Sequence, residues 1–143
     1  MTYNPGSFVA IAASPSDMGY WLAQAGGGIY SFGDTHFYGS LPQAGVSPAA
    51  PVVGMAAPDG GGYWLVGSDG GIFAFGDAHF YGSTGNLRLN QPIVGMAATP
   101  DGRGYWLVAA DGGIFAFGDA TFFGSAANAN IGTSITGIAP THD

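Results

Sequence analysis

The sequence contains no cysteine, no lysine and no glutamate. The first absence excludes disulfides, thiolate metal sites and cysteine nucleophiles. The second leaves Arg88 and Arg103 as the only strongly basic residues against nine aspartates, for a net charge of −7. So few cations cannot neutralise a run of phosphates, so nucleic acid is excluded as a partner, and attraction to an anionic membrane surface with it. The third absence is conformational: Asp favours turns where Glu favours helices, so an all-Asp acidic set points away from helix. No apolar run approaches the roughly 20 residues of a membrane span, so no membrane insertion is expected. Met1 to Gly6 carries neither basic residues nor an apolar run, so no secretory leader is read there.

Charge of either sign is scarce, at 8% of residues, where about a quarter is usual. Hydrophobic residues (47%) and aromatics (14%) are plentiful in the 143-residue chain, enough to build a core and too many for a disordered acidic tail. Gly occurs 27 times without a strict three-residue period, which indicates tight turns and close backbone approaches rather than collagen. A lysine-free, Gly-rich chain points to secretion or the cell surface.

Internal repetition organises the chain. Tyr20-Trp21-Leu22, Tyr63-Trp64-Leu65 and Tyr105-Trp106-Leu107 place their tryptophans 43 and 42 residues apart. Each triplet is followed by a glycine turn and an aromatic run: Ile29 to Asp34, Ile72 to Asp77, Ile114 to Asp119. Each run continues through a Phe to Gly-Ser, at Ser40, Ser83 and Ser125. A strand of small residues precedes each triplet: Phe8 to Ala13, Val52 to Ala57, Ile93 to Ala98. A fourth copy of that strand alone, residues 134–140, closes the sequence.

The second unit reads locally as four strands. Val52 to Ala57 is followed by a Pro58-Asp59-Gly60-Gly61 turn and by Tyr63 to Gly67. Asp69-Gly70 is a hairpin signal, because both turn positions tolerate positive φ. Ile72 to Phe75 and His79 to Gly82 complete the unit, and Thr84 to Gln91 is a polar connection. Strands apolar on both faces are sandwiched between neighbours rather than half solvated, and no helical periodicity is present. A four-stranded meander of this length has the pattern of a β-propeller blade. The expected blades are residues 8–40, 51–83 and 92–125, in one all-β repeat domain covering residues 1–143.

Two resemblances follow from these residues. Val94-Gly95-Met96-Ala97, Pro100-Asp101-Gly102, Tyr105-Trp106-Leu107-Val108 and Asp111-Gly112-Gly113-Ile114-Phe115 resemble the first three strands and two turns of a WD40-like blade, although Phe117-Gly118-Asp119 stands where the Trp-Asp dipeptide would be. The whole unit is similar to a Tyr-Trp-Leu-Val/Asp-Gly-Gly-Ile-Phe-Ala-Phe-Gly-Asp-Ala repeat of actinobacterial secreted and surface proteins. That resemblance implies a propeller-type array and an extracellular setting, and no defined activity.

Propellers usually close with four to eight blades, so three leave two open apolar faces. Two chains paired into one six-bladed ring would cover them. A longer array would too, and a β-trefoil of three four-stranded repeats closes as a monomer. A trefoil has no use for the extra first strand at 134–140, whereas a propeller can pair it at a seam. The favoured expectation is therefore a homo-oligomeric propeller, a dimer of three blades per chain.

No catalytic constellation is present, and no enzyme activity, cofactor or metal is expected. His36 and His79 hold the same place in their units, where the third unit has Thr121, and His142 lies near the end of the sequence. One Asp per turn does not converge the six to eight oxygens calcium needs, so Asp34, Asp77 and Asp119 read as turn caps. Trp21, Trp64 and Trp106 beside polar turns could stack on sugar rings or pack the blades. The hairpin between the second and third strands shares one end of a blade with the unit-to-unit loop. That end gathers Ser68, Asp69, Asn86, Arg88, Asn90, Asp111, Asn128 and Asn130. The functional expectation is a non-catalytic, lectin-like module that binds carbohydrate or a surface protein there, the alternative being a self-assembling or protein-interaction scaffold without a small ligand.

Overall fold

The computed structural model describes residues 4–85, 87–126 and 138–139. It is all-β: three separate antiparallel meanders of three strands each. The first holds β1 (Phe8–Ala13), β2 (Gly19–Gln24) and β3 (Ile29–Gly33). A short helix, α1 (Leu41–Ala44), precedes the second, which holds β4 (Val52–Ala56), β5 (Gly62–Gly67) and β6 (Ile72–Gly76). The third holds β7 (Ile93–Ala98), β8 (Gly104–Ala109) and β9 (Ile114–Gly118).

The repeat in sequence is a repeat in register. Trp21 pairs with Ser31, Trp64 with Ala74 and Trp106 with Ala116. A bulge falls at the same point of each first strand, between Phe8 and Ala10, Val52 and Gly54, and Ile93 and Gly95. The hairpin between β5 and β6 shows why Asp-Gly is needed. Gly70 sits at φ 84°, its N–H donates to the Gly67 carbonyl at 2.9 Å, and the Asp69 carboxylate caps the Gly71 N–H at 2.9 Å. Asp111 caps Gly113 in the third unit at 3.0 Å.

Two expectations are corrected. Each unit has three strands, not four. The segments expected as fourth strands are interrupted by Gly39, Gly82 and Gly124 at φ 120°, 129° and 119°, a conformation that no strand ladder accepts. They are held by side chains instead: the indole N–H of Trp21, Trp64 and Trp106 donates to the carbonyl 15 residues on, at His36 (2.8 Å), His79 (2.7 Å) and Thr121 (2.8 Å). The indole bond uses only the main chain of these three residues, so it is kept where Thr121 replaces the histidine. The second correction is α1, which occupies the longer first linker. Ser40 caps it by accepting from the Gln43 N–H at 3.3 Å, and Gly45 closes it in the left-handed region at φ 74°.

The sheets are stacked on one another and not joined edge to edge. β4 lies between β1 and β7. A Cβ on Gly54 would sit 3.3 Å from the Gly95 Cα, so the small residues of the first strands permit a close backbone approach. The two cores lie between units. One combines Trp21, Ala23, Ile29 and Leu41 with Val52, Met55, Tyr63 and Leu65. The other combines Trp64 and Val66 with Ile93, Met96, Tyr105 and Leu107. β5 therefore sends Tyr63 and Leu65 to one side and Trp64 and Val66 to the other, the period of two expected of a strand buried on both faces. No helix among the described residues is long and apolar enough to cross a membrane.

Candidate functional site

Arg88, Asn90 and Asp111, three of the eight loop positions expected to gather at one end, line one hollow of about 180 Å³ together with Leu89, Gln91 and Phe115. The linker that follows the second unit brings Arg88 and Asn90 over the β8–β9 hairpin, which carries Asp111 and Phe115. Arg88 and Asn90 are exposed, and Asp111 and Phe115 half-buried. One Asp111 oxygen is committed to the Gly113 N–H, which anchors the carboxylate in its hairpin. An exposed guanidinium and amide and an anchored carboxylate beside an aromatic ring can grip hydroxyls on one side and an apolar sugar face on the other.

Ser68 and Asp69 do not join that hollow. They form the neighbouring β5–β6 hairpin, where the main chain of Ser68 is tied on both sides: its N–H to the Pro51 carbonyl (2.9 Å) and its carbonyl to the Ile93 N–H (2.8 Å). Asn86, Asn128 and Asn130 lie outside the described residues, as does most of the extra first strand expected at 134–140.

Trp21 and Trp64 are fully enclosed, so neither presents a ring face on which a sugar could stack. Trp21 packs edge-on against Tyr63 at 5.6 Å and Trp64 against Tyr105 at 5.0 Å. Trp106 is half-buried, because no described unit follows it. Two functional features were missed by sequence reasoning. One is the Tyr of the Tyr-Trp-Leu triplet. The Tyr63 hydroxyl donates to the Gly39 carbonyl at 2.6 Å and accepts from the Tyr38 N–H at 3.0 Å, and Tyr105 does the same with Gly82 (2.6 Å) and Tyr81 (3.0 Å). Burial pushes both phenols above their usual value of 10.0. The invariance of that Tyr across three copies was a legible signal. The other is a cavity of about 590 Å³ where the ends of the first strands meet, lined by Ile11, Met55, Met96 and Ile138 with Asp17 and Thr99 at its polar edge. Most of its lining residues are apolar in type, with Ser14, Asp17 and Thr99 as its polar side chains.

The Asp residues that follow the third strands face the turn between the first two strands. In the first unit Ser16 donates to the Asp34 carboxylate, and the Ser16 and then the Ser14 hydroxyl hold that carboxyl below its ordinary value. In the third unit the Thr99 hydroxyl lies within hydrogen-bond distance of both Asp101 (2.8 Å) and Asp119 (3.1 Å). The neighbouring Asp119 carboxyl holds Asp101 down to about 2, and the neighbouring Asp101 in turn raises Asp119. Among the described residues no three His, Cys, Asp or Glu side chains converge to hold a metal ion.

No protein-family model matches the chain, and no curated protein matches it.

Proposed function

We propose that this chain is a non-catalytic β-propeller module that works outside the cell and binds a neutral saccharide at the hollow formed by Arg88, Asn90 and Asp111. The observation that carries it is the convergence of three hydrogen-bonding side chains of different type on one half-apolar depression. At about 180 Å³ the hollow is smaller than the roughly 300 Å³ of a drug-sized pocket, which suits one ring of a glycan better than a cofactor. The propeller, rather than the trefoil, is favoured by three sheets stacked face to face with their first strands side by side. The extracellular setting is favoured by the composition and the repeat. A glycan array followed by titration tests the ligand. Wild type should bind a defined neutral glycan, and Arg88→Ala should weaken that binding roughly tenfold, the worth of one charge-assisted hydrogen bond. Wild-type protein that binds no glycan on the array would overturn the saccharide assignment.

A second reading is self-association into a closed ring, as a dimer. The specific observation in its favour is that Trp21 and Trp64 are consumed in contacts between units while the outer faces of the first and third units keep large apolar residues in solvent, among them Ile11, Tyr20 and Phe123.

A further inference from the structure

We infer that the first unit of one chain docks head to tail on the third unit of a second copy, with Tyr20 and Phe32 as the plug and Trp106, Phe123 and Gly124 as the socket. This rests on the self-association reading and assigns its contact residues.

The template is the junction that the chain builds twice within itself. At the first, the Tyr63 hydroxyl bridges the Tyr38 N–H and the Gly39 carbonyl, and its ring meets Trp21. Phe75, 5.6 Å from Tyr63, lies over Gly39, whose Cβ would sit 3.2 Å from the Phe75 ring. At the second, Tyr105 bridges Tyr81 and Gly82 and meets Trp64. Phe117, 5.7 Å from Tyr105, covers Gly82, at 2.7 Å from where its Cβ would be. Each junction is thus a Tyr–Phe pair from the incoming unit seated on Trp, aromatic and Gly from the outgoing one.

Both halves recur at the ends, unmated among the described residues. Tyr20 and Phe32 form the same pair, 5.3 Å apart, but are 44% and 43% exposed, whereas Tyr63 and Tyr105 are fully buried. At the other end Trp106 makes the same indole bond, to the Thr121 carbonyl. Gly124 holds the same backbone conformation, φ 119°, yet no described residue lies within 4 Å of where its Cβ would be. Phe123, in the place of Tyr38 and Tyr81, is 83% exposed. Among the described residues the socket is formed and its seat is open. Within one chain the plug does not reach it, because neither β2 nor β3 contacts β8 or β9.

A second copy is the occupant because its plug repeats the residue types that already fill both inner sockets. Tyr20 would donate to the Gly124 carbonyl and accept from the Phe123 N–H, the two groups that Tyr63 and Tyr105 satisfy elsewhere. Such a contact is heterologous, and two of them related by a two-fold axis close a ring.

Complementation of two exposed-site variants tests it by sedimentation equilibrium. Tyr20→Ala removes the plug and Phe123→Asp spoils the socket; both positions are exposed, and circular dichroism confirms that each variant folds. Wild type should sediment at twice the 14.4 kDa chain mass, and each variant alone should associate roughly a thousandfold more weakly, having lost both junctions of the ring. Mixed one to one, the variants should recover a heterodimer, because the plug of one meets the intact socket of the other. A wild-type monomer at every concentration overturns self-association altogether. A dimer that neither variant weakens keeps self-association and overturns this junction. Variants that both weaken but do not complement show that like faces meet, which overturns the head-to-tail polarity.

Discussion

The strands β2 and β5 carry the same Tyr-Trp-Leu triplet and live in different surroundings. Every residue of β5 is buried, whereas in β2 Tyr20 is exposed and only Trp21 and Ala23 are fully covered. The strand itself cannot account for the difference, since register and hairpin are alike in both. Among the described residues the second unit has a neighbour on each side, and the first has one only on its Trp21 side. A unit of this kind therefore has half a core of its own and borrows the other half, as repeat proteins do when each unit packs only on its neighbours.

The largest expected effect contrasts a mated Trp with an unmated one. Trp64→Ala should cost about 3–5 kcal/mol in chemical denaturation, the usual loss for a large aromatic in a packed core. Trp106→Ala, measured in dilute and unassociated protein, should cost less than half as much. Raising the protein concentration should narrow the gap if the outer face of Trp106 becomes covered; equal costs at all concentrations would break the comparison between inner and outer units.

The tyrosines give the next effect. Tyr63→Phe leaves the Tyr38 N–H and the Gly39 carbonyl without their partner and should cost about 1–3 kcal/mol, while Tyr20→Phe in the dilute chain should stay within about 0.5 kcal/mol. The same residues set an alkaline limit. A phenol whose folded pKa is raised contributes stability that is whole below its unfolded value of 10.0 and is lost as the pH climbs through the folded value. Wild-type melting temperature should fall above pH 10.0, and the Tyr63→Phe/Tyr105→Phe double variant should fall less steeply from its lower start.

The smallest effect compares the three positions paired with the tryptophans. Ser31 stands where the other units have Ala74 and Ala116, and its buried hydroxyl has no partner. Ser31→Ala should raise stability by about 0.5–1 kcal/mol. A loss on denaturation would show that the hydroxyl is satisfied in solution.

Much of the fold was legible. The strand boundaries of the second unit agree with the sequence reading to within one residue, because Asp-Gly turns and two-sided apolar runs are local signals. The fourth strand was over-read: Phe-Tyr-Gly-Ser has strand composition, but only the φ of Gly39 and its copies shows that the ladder cannot continue. The helix α1 was under-read, although Ser40, Pro42 and Gly45 are a cap, a first-turn proline and a terminator in the correct order. Of the candidate site, Arg88, Asn90 and Asp111 came together because linker and hairpin share one end. Ser68 and Asp69 lie outside the hollow: their hairpin is bonded to the ends of both linkers, at Pro51 and at Thr84, while Arg88 and Asn90 pass on to the next hairpin. The Asp101–Asp119 pair was not foreseen, since it needs two turns 18 residues apart to meet at Thr99.

The sequence by itself determined the repeat, its hairpins and the alternation that buries both faces of each middle strand, because all of these depend on neighbours along the chain. Only the tertiary structure decided which copies of the same residue are core and which are surface. Tyr20 and Tyr63 are chemically identical, and what separates them is whether another unit lies beyond the hydroxyl.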